Sequence, residues 1–342
     1  MKMLRKQQLK GTELELSTVC LGCGNFGEKL TRKQAFEILD AYVAAGGNFL
    51  DTANVYCRWV PGMDNISEQM IGQWLRERKA YNQVVVATKG GHYDFTVPSV
   101  CRVNKREISH DLDESLTTLG LERIDFYWLH RDNPSVPIEE LVDLMEEFVR
   151  AGKIRYYGAS NFAQKRLETA RVYSQKKGIT GFSAASNQFS LAVPNPSCPL
   201  NPDPTLVSVD RDFYSWHTQH KFPLIPYSST ASGFFEKLFK SEPVIKDGKL
   251  VSPEIKLQLS DALKNTYLNE QNLKIYETLL DMHEQYQVSL YSLSLACLVN
   301  QPFPIFPISS VRNTVQLEGL VAAGNLVLEC EPLHIFENNP TE

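Results

Sequence analysis

GGNFLDTANVY, residues 46–56, is a short apolar run that ends in Asp51 and is followed closely by Tyr56. The pattern returns twice downstream. VVVATKGG (84–91) carries its apolar run up to Lys89, and IDFYWLHR (124–131) carries its run up to His130. Polar or charged residues at the carboxyl ends of successive buried strands are what the catalytic face of a (β/α)8 barrel presents. Each residue alone also fits a structural role: an N-cap for Asp51, a packing aromatic for Tyr56, a solvated loop lysine for Lys89, a core histidine for His130. An acid, a tyrosine, a lysine and a histidine spread over three strand ends in order form a constellation, and the four together read as a hydride-transfer site.

Outward from these segments, strand and helix patterns alternate. Strand candidates are 19–21, 49–51, 84–88, 124–129, 154–158, 181–185, 223–227 and 304–308. Between them, 32–45, 67–78, 105–119, 138–151, 164–177 and 315–323 repeat apolar residues at helical spacing. Gly46, Gly120, Gly152 and Gly178 stand where helix C-termini want glycine. Eight strands alternating with helices predict an α/β fold, a (β/α)8 TIM barrel forming a single domain over residues 1–342. The alternative is an open doubly wound sheet. Gly22, Gly24 and Gly27 fit the GxGxxG spacing it needs, and Asp51 stands where its acidic residue is required. The strand count and the polar strand ends favour the barrel. Residues 3–16 alternate around Lys10 and Gly11, which predicts an N-terminal β-hairpin that closes the barrel bottom. Residues 233–266 read as a long loop on the catalytic face.

The formal net charge of −5 argues against nucleic-acid or anionic-membrane partners. No run approaches a membrane span of about 20 apolar residues, and the start, MKMLRKQQLK, lacks the apolar stretch of a signal peptide, so a cytoplasmic location is expected. Seven scattered cysteines, Cys20, Cys23, Cys57, Cys101, Cys198, Cys297 and Cys330, do not make a disulfide framework. The lone Cys20–Cys23 pair reads as part of a buried strand and turn, and no metal is expected. His217 and His220, in HTQH, lack a nearby carboxylate and read as surface or pocket-rim residues.

The segments GCGNFG (22–27), GGNFLDTANVY, SEQMIGQWL (67–75), VVVATKGG, IDFYWLHR and GKIRYYGASNF (152–162) resemble the aldo-keto reductase family over nearly the whole chain. WVPG (59–62), SSTASGFF (228–235) and NQPFPIFP (300–307) look like a bacterial-type branch of it. The resemblance implies carbonyl reduction with NADP(H) in preference to NAD(H), and makes Asp51, Tyr56, Lys89 and His130 the catalytic tetrad. Reduction needs a hydride at carbon and a proton at oxygen. Tyr56 would give the proton, with Lys89 lowering its pKa from the free value of about 10. Asp51 would hold Lys89, and neutral His130 would orient the carbonyl.

Cofactor contacts follow by the same resemblance. Ser160 and Asn161 would hold the nicotinamide carboxamide, Tyr227 would stack on the ring, and Ser228 and Ser229 would face the pyrophosphate. Ser310 and Arg312 would meet the 2′-phosphate, where a guanidinium is well suited. Gly24, Asn25, Asp51, Ser186 and Gln316 complete the set. Three departures touch cofactor affinity: Ser186 replaces a common glutamine, Ser310 a common glycine, and Gly319–Leu320 a common Glu-Asn pair. Arg58, Trp59, Tyr93 and Trp216 are substrate-wall candidates. Aromatic walls with an arginine suit a polar carbonyl compound such as a hydroxylated aldehyde. A monomer or weak homo-oligomer is expected. The rival functions are a redox-sensing regulatory protein of the same fold, and an isomerase or aldolase with Lys89 as a Schiff base.

Overall fold

The computed structural model describes residues 3–196, 198, 201–251 and 257–328. Cys330 and part of the 233–266 segment lie outside the described residues. A hairpin of β1 (Lys6–Gln8) and β2 (Glu15–Ser17) comes first. Then follow β3 (Cys20–Gly22), α1 (Arg32–Ala44), β4 (Phe49–Asp51), α2 (Ile66–Arg78), β5 (Val85–Gly90), α3 (Lys105–Leu119), β6 (Ile124–Leu129), α4 (Ile138–Arg150), β7 (Ile154–Ser160), α5 (Gln164–Lys177), β8 (Phe182–Ser186) and α6 (Arg211–His220). The carboxyl-terminal part holds α7 (Phe234–Phe239), a small hairpin of β9 (Ile245–Lys246) and β10 (Lys249–Leu250), α8 (Asp261–Tyr267), α9 (Glu270–Tyr286), α10 (Leu290–Val299), β11 (Ile308–Ser309) and α11 (Thr314–Asn325).

Seven parallel strands run in the order β11-β3-β4-β5-β6-β7-β8. One more stave closes the ring. Ile225 N donates to Ala185 O at 2.8 Å, and on the other side Phe306 N donates to Leu224 O at 2.9 Å. The stave at 223–227 is paired by isolated bridges, Ala185 to Leu224 and Gln188 to Tyr227 on one side and Leu224 to Ile305 on the other. Pro223, Pro226, Pro304 and Pro307 explain this, because each removes a backbone donor from the ladder. The sequence-expected strands at 223–227 and 304–308 are therefore present as staves with few hydrogen bonds. Ring closure rules out the doubly wound sheet.

Alternation along the strands separates two cores. Cys20, Phe49, Ala87, Phe126, Trp128, Ala184, Ile225 and Phe306 point inward, and Leu9, Leu14 and Leu16 of the hairpin region join them. Leu21, Leu50, Val86, Tyr127, Leu129 and Ala185 point outward and pack under the helices. The Trp128 ring fills the space where Gly158 has no side chain; a Cβ there would come within 2.4 Å of it. Helix ends follow local rules: Asn104 caps α3 through Glu107 N, and Gly120 ends that helix at φ 69°. The 233–266 segment is not a bare loop: it contains α7, the β9–β10 hairpin and the start of α8. No described helix is long and apolar enough to cross a membrane.

Candidate active site

The inward register of the apolar barrel core fixes what comes next on each strand. Two residues beyond Phe49 is Asp51, two beyond Ala87 is Lys89, and two beyond Trp128 is His130. The same step from Gly158 reaches Ser160, from Ala184 reaches Ser186 and from Ile225 reaches Tyr227. One polar layer thus caps the hydrophobic layers at the carboxyl end of the barrel.

Within that layer Lys89 is the hub. Its Nζ donates to Asp51 Oδ1 at 2.6 Å, to the Thr52 carbonyl at 2.7 Å and to Tyr56 Oη at 3.0 Å. An ammonium has three protons and no lone pair, so all three donors are spent and the phenol oxygen can only accept. The Tyr56 O–H is thereby left without an acceptor among the described residues. Asp51, Lys89 and His130 are buried, whereas Tyr56 stays partly open. Thr52, which lends its carbonyl to Lys89, is itself held by its hydroxyl against Ser67 Oγ at 2.8 Å.

Charge and burial compete at each group. Burial raises the Asp51 carboxyl, against the pull of Lys89. Lys89 is raised: burial pushes it down, but the Asp51 charge and Tyr56 outweigh that. Burial, then His92, Arg131 and Lys89, hold His130 well below its ordinary value, so its imidazole is neutral. Tyr56 departs from expectation. Burial raises the phenol more than Lys89 lowers it, so it is a protonated acid through neutral pH.

Around the hub lie the expected cofactor candidates. Ser160 Oγ donates to Ser186 O at 2.8 Å. Asn161, held at φ 63°, donates from Nδ2 to the His130 carbonyl at 3.2 Å and accepts from the Tyr227 hydroxyl at 2.5 Å. Gly24 lies under the Tyr56 ring, 3.5 Å from where its Cβ would stand, and Asn25 shares its turn. Ser228 is exposed, whereas Ser229 is buried and its hydroxyl donates to Pro226 O at 2.8 Å. Ser310, Arg312 and Gln316 are exposed beyond β11, and Gln316 Oε1 accepts from the Arg312 backbone at 2.8 Å. Lys237 on α7 was missed by sequence reasoning. Its ammonium is depressed by burial and by the nearby Arg312 guanidinium, so two cations from distant segments converge.

The substrate-wall candidates divide. Trp59 meets Tyr56 edge-on at 6.0 Å between ring centres, and Tyr93 packs against His92 at 4.1 Å. Phe95 joins them, 5.9 Å from Trp59, and like His92 it was not singled out from the sequence. A glycine-flanked GGHYDF stretch directly after Lys89 was the available signal. Arg58 does not line the wall: it is bound by Asp64 at 2.9 Å and Glu114 at 2.6 Å, because α3 offers a carboxylate beneath it. Trp216 is also elsewhere. It lies buried on α6, outside the barrel, and donates to Glu168 of α5 at 2.9 Å. His217 is no surface residue but a core histidine stacked between Phe213 and Phe303, 4.9 and 5.2 Å away.

The loop after β8 covers the site's edge. Arg131 Nη2 reaches Asp203 Oδ2 at 3.1 Å, Arg131 Nε reaches Thr205 Oγ1 at 2.7 Å, and the Tyr93 hydroxyl donates to Asp203 Oδ2 at 2.8 Å. The Thr205 hydroxyl and backbone N–H also donate to Asp203 Oδ1, at 2.6 and 2.8 Å, and these bonds first, then Tyr93 and the Arg131 charge, outweigh burial and hold the Asp203 carboxyl down at about 2.

The family model for the aldo/keto reductase family matches residues 18–337. The aryl-alcohol dehydrogenase [NADP(+)] of Phanerodontia chrysosporium is 26% identical over 98% of this chain and 86% of its own length. Norsolorinic acid reductase B of Aspergillus parasiticus is 25% identical over 97% of this chain and 83% of its own. An uncharacterized oxidoreductase of Bacillus subtilis is 32% identical over 53% of this chain and 56% of its own.

Proposed function

Because the chain belongs to the aldo/keto reductase family, and so is a nicotinamide-dependent oxidoreductase of carbonyls and alcohols, we propose that it reduces aromatic aldehydes and ketones with NADPH, with Tyr56 as proton donor. The observation that carries this reading is the Lys89 hub, which spends all three ammonium protons and leaves the Tyr56 O–H free to donate. The residues fit a nicotinamide. Ser186 Oγ is buried at the barrel mouth without a hydrogen-bond partner, beside Ser160 and Asn161, and a carboxamide both donates and accepts. Ser160, Asn161, Ser186 and Tyr227 would hold the nicotinamide end; Lys237, Ser228, Ser310, Arg312 and Gln316 would hold the phosphates. When bound, NADPH supplies the hydride.

The chain's own groups do the rest. Neutral His130 donates to the carbonyl oxygen and orients it. Tyr56 passes its proton to that oxygen as negative charge develops there, and Lys89 stabilises the phenolate left behind. Asp51 keeps Lys89 charged and in place. The same facts disfavour a Schiff-base lysine, which needs a free neutral amine; the Lys89 ammonium is raised and fully bonded. Trp59, Tyr93 and Phe95 give an aromatic ring apolar faces, and the named relative's aryl-alcohol substrates agree with that. With Arg58 engaged elsewhere, the arginine-based argument for polar substrates falls away.

Turnover of a nitrobenzaldehyde, followed by loss of NADPH absorbance, tests the proposal. Steady consumption with alcohol formed in equal amount supports it. Cofactor binding without turnover would favour a redox-sensing role instead.

A further inference from the structure

His92 is buried in the site, yet the tetrad does not need it. It follows Gly90 and Gly91 at the end of β5, and its backbone is pinned on both sides. Gly91 N donates to Asp111 Oδ2 at 2.8 Å, and Arg102, itself paired with Asp111 at 2.6 Å, donates to the His92 carbonyl at 3.0 Å. The ring centre stands 4.8 Å from that of His130 and 5.2 Å from that of Phe95. Nδ1 lies 2.8 Å from the Tyr93 carbonyl. A carbonyl only accepts, so Nδ1 carries the hydrogen. Burial and the Arg131 guanidinium depress the imidazole to about 4, so at neutral pH Nε2 is a bare acceptor. Among the described residues nothing donates to it.

We propose that His92 is a second substrate-binding imidazole, whose Nε2 accepts a hydrogen bond from a hydroxyl on the carbon next to the substrate carbonyl. The inference rests on the reductase reading above, with His130 holding the carbonyl oxygen. Two imidazoles with centres 4.8 Å apart can each hold one substrate oxygen only when those oxygens sit close together, as on adjacent carbons. With no donor on it among the described residues, Nε2 is free to take a substrate hydroxyl. A site built to bind a hydroxyl also rejects the analogue that lacks it. The substrate class is therefore α-hydroxy aldehydes and ketones, with an aromatic or other apolar substituent against Trp59 and Phe95.

The test compares kcat/KM for α-hydroxyacetophenone and its methyl ether, α-methoxyacetophenone, which share the carbonyl and differ in the donor. One neutral hydrogen bond predicts a preference of about tenfold for the hydroxy ketone. His92→Phe should bring the ratio towards unity. His92→Gln, whose amide oxygen reaches the Nε2 position, should restore part of it, which a mere packing role would not require. A wild-type ratio near unity overturns the proposal without any variant having to fold, as does a ratio that survives His92→Phe. If the wild type turns over nitrobenzaldehyde but neither ketone, His92 selectivity is wrong and the reductase reading stands. If it turns over none of the three, the reductase reading fails and the proposal with it.

Discussion

Replacing Lys89 with methionine leaves Asp51 buried with neither carboxylate oxygen bonded, since among the described residues Oδ1 accepts only from Lys89, at 2.6 Å, and Oδ2 has no partner. Breaking a buried ion pair from one side costs about 3–5 kcal/mol, because the surviving charge keeps its desolvation penalty and loses its compensation. The pH dependence follows from the Asp51 carboxyl, which burial already raises against the pull of Lys89. Without Lys89 it rises further. The native state then binds a proton more tightly than the unfolded chain, where an aspartate titrates at about 3.9, so stability is greatest at low pH and falls as pH climbs through the folded value. Chemical denaturation of Lys89→Met should show the full deficit near about pH 8 and a smaller one near about pH 5.5, where Asp51 can take up a proton. Asp51→Asn combined with Lys89→Met removes the uncompensated charge and should recover much of the stability while activity stays lost. A pH-independent deficit, or a double variant no more stable than the single one, would refute the reasoning.

Two further outcomes are expected. Arg312→Ala should weaken NADPH binding about ten- to hundredfold, as loss of a charge-assisted hydrogen bond to phosphate implies, and leave NADH nearly unchanged; equal weakening in cofactor titrations would put Arg312 on the pyrophosphate or on the fold. Asp203→Asn removes the charge that ties the loop after β8 to Arg131 and Tyr93, so KM for aromatic aldehydes should rise about tenfold while NADPH affinity holds; an unchanged KM would mean the loop does not shape the pocket.

Much of the barrel was readable because its strands are continuous apolar runs ending in a polar residue, a pattern that follows from burial on both faces. β6 and helices α3 and α5 fall on the expected residues, 124–129, 105–119 and 164–177. The proline-bearing staves were located by their apolar residues, but their thin pairing depends on which backbone N–H groups remain. The hub was legible because its spacing is set by alternation along a strand. Residues on helices and loops were not. Arg58 and Trp216 have the right chemistry for a pocket wall, yet Glu114 and Glu168, brought near only by folding, claim them. His92 and Phe95 went unread for the converse reason: one imidazole and one ring after a glycine pair gain meaning only once His130 and Trp59 stand beside them. The Tyr56 pKa direction was misjudged because a charge partner can be read from a sequence, whereas the depth of burial that opposes it cannot.

The central claim is that the Tyr56 O–H, left free by the Lys89 hub, is the proton given to the carbonyl oxygen. Tyr56→Phe removes that proton and keeps the ring. NADPH binding, followed by fluorescence, should be nearly unchanged, while turnover of a nitrobenzaldehyde falls by roughly 10²–10⁴-fold, the usual worth of a positioned general acid. A Phe variant that reduces the aldehyde at the wild-type rate would contradict the account.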